Sequence, residues 1–159
     1  MSLLDTHYFA YGTLLGPSAM TAFAPSAELV GQGQVAHRML VFRRYAQGPG
    51  EGGCSIAHVP GEVLQGAIYK VTADEFETMD DRVRRSLRWF DRLPVEVHTS
   101  DGETLTVSTY HIPEPLSDFA PSDEYVASIF SGARELDLPG WYVRRLNDIV
   151  SDAQEHGKP

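Results

Sequence analysis

Three short stretches hold residue types and spacings that could do chemistry. In HYFAYGTLLGP, residues 7–17, an apolar run stops on Gly12-Thr13 and continues with Leu14 and Leu15. Gly12 can take backbone angles closed to other residues, so the chain can turn sharply there. A strand ending on Tyr11-Gly12-Thr13-Leu14 turns several backbone N–H groups into one hollow. Such a hollow holds a carboxylate without a charged side chain; it is also simply how a strand can end with no ligand. The second stretch, Gly31-Gln32-Gly33-Gln34-Val35-Ala36, fits the G-x-G-x-x-A string of dinucleotide folds. That fingerprint needs a helix to start there, but the nearby residues Met39-Leu40-Val41-Phe42 form a strand pattern. Glycines at a bulged strand are the better account. The third, Cys54 and His58, offers two metal-ligand types with no others beside them, and reads as ordinary strand.

The elements that position these residues follow from periodicity and turn chemistry. Residues 8–11 form an aromatic-rich strand, and Pro17 opens a short helix. Residues 28–35 and 38–42 read as two strands, 45–53 as a glycine-rich loop, and 54–59 and 63–71 as two more strands. Thr72 and Glu75 have the spacing of a capping box, followed by an apolar stripe at Phe76, Met79 and Val83. Alternation from 87 to 98, a turn at Asp101-Gly102, and a return strand at 105–109 make a hairpin. After a proline-bearing crossing at 113–121, Ser122 caps a helix whose face carries Tyr125, Ile129, Phe130, Ala133 and Leu136. A last helix spans roughly 142–150, and a polar tail from about 151 is expected to fray. The pattern predicts one α+β domain over 1–159, a small mixed or antiparallel barrel with flanking helices.

Composition narrows the partners. The 159 residues carry a net charge of −9, which argues against a nucleic-acid backbone or an anionic membrane. No apolar run is long enough to span a bilayer and no leader is recognisable, so a cytoplasmic protein is expected. One cysteine excludes an internal disulfide framework.

Taken in order, YFAYGTLL, GEVLQGAIYKV, TADEFETMDD, LPVEVHTSDGETLTVSTY and PSDEYVASIFSGARELDLPGWYVRRL resemble the gamma-glutamylcyclotransferase-like family, which includes the plant avirulence-induced-gene-like proteins. The resemblance covers roughly residues 8–146. It implies a small barrel with helices packed around it and a reaction in which the α-amine of a γ-glutamyl group attacks its own γ-carbonyl. The products are 5-oxoproline and a released amine. It implies no metal or nucleotide cofactor and a small-molecule γ-glutamyl-like partner. It assigns Tyr11, Gly12, Thr13 and Leu14 to binding the γ-glutamyl moiety and carries Tyr125 over as a binding residue.

That reaction needs a base, because an ammonium cannot attack a carbonyl until it loses a proton. In the family the base is the Glu of a Leu-Asp-x-x-Glu-Gly string. Here the string reads Met79-Asp80-Asp81-Arg82-Val83-Arg84, so the Glu position is Val83. Three readings stay open: a ligand-binding protein without standard cyclotransferase activity, an enzyme using another carboxylate (Asp80, Asp81 or Glu51), or a structural barrel that binds a partner. Arg82, Arg84, Arg85, Arg88 and Arg92 either rim an altered pocket for an anion or form a solvated face paired with nearby acids.

Overall fold

The computed structural model describes residues 2–45, 52–85, 90–113 and 117–157. Five strands close into a barrel in the order β1-β3-β2-β4-β5. They are β1 (His7–Ala10), β2 (Glu28–Arg44), β3 (Gly52–Lys70), β4 (Asp91–Thr99) and β5 (Thr104–His111). Four helices pack around them: α1 (Pro17–Phe23), α2 (Ala73–Arg85), α3 (Asp123–Glu135) and α4 (Gly140–His156). Buried apolar residues from all nine elements join one cluster. Among the described residues no helix is long and apolar enough to cross a membrane. Glu51, Leu87, Arg88 and Trp89 lie outside the described residues, as do 46–50 and 114–116; so does the side chain of Arg85.

Two pairs of expected strands turn out to be two long strands. Residues 28–35 and 38–42 are both β2, and 54–59 and 63–71 are both β3, which begins already at Gly52. What looks like a break is a bulge. The register jumps from Ala36 opposite Val63 to Arg38 opposite His58. His37 takes φ 60° and Gly61 φ 90° to absorb the mismatch, and Gly61 N–H donates to His37 Nδ1 at 3.0 Å. A bulge resets the inside–outside phase, so the alternation on either side reads as separate strands.

The G-x-G-x-x-A string lies inside β2, with no helix after it. A register shift falls between Leu29 and Gly31, as a bulged strand requires. Gly33 is squeezed by β4: a Cβ there would strike Val97 Cγ1 and lie 3.1 Å from His98 O. A Cβ on Gly31 would meet nothing within 4 Å.

The barrel closes where β1 meets β5. These strands are parallel and share a single register pair, Tyr8 opposite Ser108. Side chains reinforce the seam. Thr109 Oγ1 donates to Phe9 O at 2.6 Å, Ser108 Oγ to Leu4 O at 2.7 Å and Tyr11 Oη to Tyr110 O at 2.6 Å. Thr109 and Ser108 are buried, and these bonds satisfy their hydroxyls.

Helix α2 is fixed at both ends. Thr72 Oγ1 accepts from Glu75 N–H at 3.1 Å, the expected cap. The Glu75 carboxylate, however, does not complete a capping box. It crosses to Ser26, accepting from its N–H at 2.6 Å and its hydroxyl at 2.5 Å, so the box residue ties α2 to the β2 entry. Further along, Arg92 of β4 grips Asp80 through Nε and Nη2 at 2.9–3.1 Å, reaches Asp5 at 3.1 Å, and stacks 3.8 Å over the Phe76 ring. Helix α4 continues past residue 150 to His156 rather than fraying. Gln154 Nε2 holds that last turn to Pro121 O at 3.1 Å and Asp123 Oδ1 at 2.9 Å.

The two glycines of the G-x-G-x-x-A string should behave oppositely. Gly33→Ala is expected to destabilise by about 1–3 kcal/mol through overpacking against β4, while Gly31→Ala stays within ~0.5 kcal/mol. Chemical denaturation of both variants checks this. Equal losses would remove the close-approach account of Gly33.

Candidate functional site

Beyond β1 the chain turns at Gly12, and Leu15 N–H donates to Gly12 O at 3.0 Å. No backbone carbonyl takes the N–H of Gly12, Thr13 or Leu14 among the described residues. The Thr13 N–H is directed to the Cys54 sulfur instead. Gly12 has a steric reason to be glycine: a Cβ there would collide with Cys54 Sγ. The thiol of β3 thus sits directly on the turn.

Helix α3 brings the next component. Gly16, at the start of α1, and Gly132 of α3 pack backbone to backbone, and Ser18 N–H donates to Glu135 Oε1 at 2.6 Å. Ser122 caps α3 by accepting from Tyr125 N–H at 3.1 Å. So placed, Tyr125 Oη accepts from Cys54 N–H at 2.9 Å and also bonds to the Cys54 sulfur.

A small cavity of about 60 Å³ lies between the Gly12 turn, α2 and α3. The sequence-derived residues Tyr11, Gly12, Thr13, Leu14 and Tyr125 line it, and so does Val83. Val83 arrives because it shares a helix face with Phe76 and Met79, three buried side chains spaced three and four residues apart. Asp80 and Asp81 do not line the cavity. Asp80 lies behind its wall, gripped by Arg92 and accepting from Tyr110 Oη at 2.7 Å. Arg82 donates to Phe23 O, Arg84 pairs with Asp91 at 3.1 Å, and Arg92 pairs with Asp80 and Asp5. None of the three lines the cavity, so the described part of the arginine cluster is a paired face, not a rim.

Five further lining residues escape a reading based on motifs: Tyr8, Tyr45, Cys54, Phe90 and Tyr110. Tyr45 and Phe90 pack edge to face at 5.6 Å, and Tyr8 and Tyr110 approach at 5.2 Å. The one available signal was the density of tyrosines at strand ends; nothing in the sequence says that those ends converge. Tyr8 is 4% exposed, and its hydroxyl has no hydrogen-bond partner among the described residues. No charged side chain belongs to the described lining.

Burial dominates the acid–base behaviour here. It pushes the hydroxyls of Tyr8, Tyr11, Tyr110 and Tyr125 up from their ordinary value, and the acceptor Asp80 pushes Tyr110 further. Burial likewise raises the Cys54 thiol, and hydrogen bonds from Tyr125 and Thr13 to the sulfur oppose that rise in part. The described lining is neutral at physiological pH, with a thiol and not a thiolate on the turn. Among the described residues no three His, Cys, Asp or Glu side chains converge as a metal set; Cys54 and His58 are both residues of β3.

The pattern that defines the AIG2-like family matches residues 63–146, more than half of the sequence, including α2, β4, β5 and α3. The chain belongs to the AIG2-like family. It is similar to bovine gamma-glutamylcyclotransferase, with 26% identity over 146 residues, covering 89% of this chain and 77% of that one. It is similar to the human gamma-glutamylcyclotransferase at 26% identity over 147 residues with the same coverage. In three dimensions it superposes on a gamma-glutamyl cyclotransferase with a TM-score of 0.78 at 24% identity, covering 97% of this chain and 88% of the other. An uncharacterised human protein superposes with a TM-score of 0.80 at 23% identity, again over 97% and 88%. The AIG2-like barrel agrees with the α+β, helix-flanked barrel expected from the sequence.

Two measurements test the site's construction. Gly12→Ala should destabilise by about 1–3 kcal/mol, and Cys54→Ala in the same chain should recover most of that loss, since Cys54 Cβ would stand 3.5 Å from the new methyl. Additive effects in that cycle would disprove the thiol-on-glycine packing. Stability should also fall in alkali. The buried thiol and hydroxyls stay protonated in the folded state but ionise in the unfolded chain near 9.0 and 10.0. Raised folded values therefore stabilise fully below those pH values, and the contribution is lost as pH rises through and beyond them. A Tm flat from neutral to strongly alkaline pH would contradict this.

Proposed function

We propose that this AIG2-like protein binds a γ-glutamyl-like or related small carboxylate in the Gly12 cavity and lacks standard cyclotransferase turnover. The observation that carries the reading is Val83: it lines the cavity, and no carboxylate does so among the described residues. Valine cannot accept the proton that the α-ammonium must lose, and loss of a positioned base costs ~10²–10⁴-fold in rate. The N–H groups of Gly12 and Leu14, unpaired among the described residues, support a carboxylate-binding role for the turn. Thr13 contributes its N–H to Cys54 and so supports the turn itself. Tyr125, whose hydroxyl is engaged with Cys54, contributes a wall and holds the thiol in place.

Asp80 is a poor substitute base, because Arg92 and Tyr110 already occupy its oxygens. Asp81 lies off the cavity. Glu51 is the remaining candidate for the alternative of an active enzyme. A cytoplasmic setting goes with the proposal, in keeping with the single, unpaired Cys54.

The test is release of 5-oxoproline from a panel of γ-glutamyl amino acids. The wild-type protein should show little or none, and Val83→Glu should raise it by up to ~10²–10⁴-fold. Val83→Gln serves as the neutral control. Arg84 already pairs with Asp91 and stands off the cavity, so replacing it is unnecessary. Robust wild-type release would sink the proposal and direct attention to Glu51→Gln.

A further inference from the structure

We infer that the ligand of this cavity carries a carboxylate but no ammonium, its nitrogen being acylated as in a lactam or a small N-acyl amino acid. The inference rests on the site proposed above and narrows its ligand class. An ammonium taken out of water needs a charged partner, or most of its solvation is lost uncompensated. The described lining offers none. Val83 stands where a carboxylate would, and Asp80 is turned away and held by Arg92 at 2.9 Å. The aromatic walls give a cation some attraction through their π faces, but less than an ammonium's desolvation costs. Tyr110 and Tyr11 have their protons committed to Asp80 and to the Tyr110 carbonyl, and neutral oxygens do not replace a counter-charge.

A carboxylate is treated differently. Among the described residues nothing takes the Gly12 and Leu14 N–H groups, which can therefore donate to it, and backbone donors are what keep a buried carboxylate ionised. The neutral Cys54 thiol on the same turn does not repel it. Among the described residues the Tyr8 hydroxyl is a further polar group without a protein partner, on a side chain only 4% exposed that lines the cavity. It can accept from an amide N–H or donate to an amide carbonyl, which suits an acylated nitrogen.

The experiment is calorimetric titration of the whole chain with 5-oxoproline, N-acetylglycine, glutamine and γ-glutamylalanine. The first two should bind at least ~10-fold more tightly than the last two. Val83→Glu should weaken the acylated anions and strengthen the ammonium compounds; Val83→Gln, similar in size but neutral, should keep the wild-type order. If glutamine or γ-glutamylalanine binds wild type as tightly as 5-oxoproline, the inference falls and the carboxylate site stands. If none of the four binds, both fall together. Acylated-anion affinities unchanged in a folded Val83→Glu protein would place the ligand elsewhere and overturn the inference. Should that variant not fold, the wild-type ratio decides alone.

Discussion

The seam between β1 and β5 is the constraint on which the rest of this protein depends. A parallel pair with one register contact is a weak way to close a barrel, because few ladder hydrogen bonds cross it. The closure is completed by hydroxyls that reach backbone carbonyls: Thr109 to Phe9, Ser108 to Leu4 and Tyr11 to Tyr110. Those hydroxyls are buried in the closed barrel, so closure without these acceptors would leave them unsatisfied, and the bonds and the closure depend on one another. The cavity lies at the end of this seam. Tyr8 and Tyr11 come from one side of it and Tyr110 from the other, so the same closure builds the barrel and the site's wall.

Arg92 performs a related task for α2. One guanidinium binds Asp80, Asp5 and the Leu4 carbonyl while stacking on Phe76. Arginine suits this role because its planar fork satisfies several acceptors at once and its face packs on an aromatic ring. The grip fixes the rotation of α2 about its axis, and that rotation puts Val83 on the cavity and Asp80 behind the wall. The same contact accounts for the electrostatic character of the site. In a protein of net charge −9, the described cavity lining is uncharged, and Asp80 behind its wall is paired outward with Arg92.

Cys54 links these two halves. Its sulfur fills the space that a side chain at position 12 would need, and it receives the Thr13 N–H and the Tyr125 hydroxyl. The turn, β3 and α3 therefore meet on one atom. Burial keeps that atom a thiol, so it acts through packing and weak hydrogen bonds, while the Gly12 and Leu14 N–H groups take no partner among the described residues.

Much of this was determined by the sequence itself. The capped starts of α2 and α3, the Asp101-Gly102 hairpin and the turn at Gly12 just beyond β1 all rest on local residue chemistry acting over a few positions. So does the stripe that carries Val83 inward, since helical spacing alone puts it beside Phe76 and Met79. Only the tertiary structure decided the remainder. The bulge at His37 joined four apparent strands into two, because its partner residues lie 24 positions away and its effect on phase mimics a strand end. Glu75 left its own helix for Ser26, which local spacing cannot anticipate. Whether Asp80 faces the cavity was settled by Arg92, twelve residues on, and the reason for Gly12 was settled by a sulfur on another strand. Local structure follows from neighbours in the chain. Which groups face one another across the barrel follows from register and closure, and those are set by contacts between residues that the sequence keeps far apart.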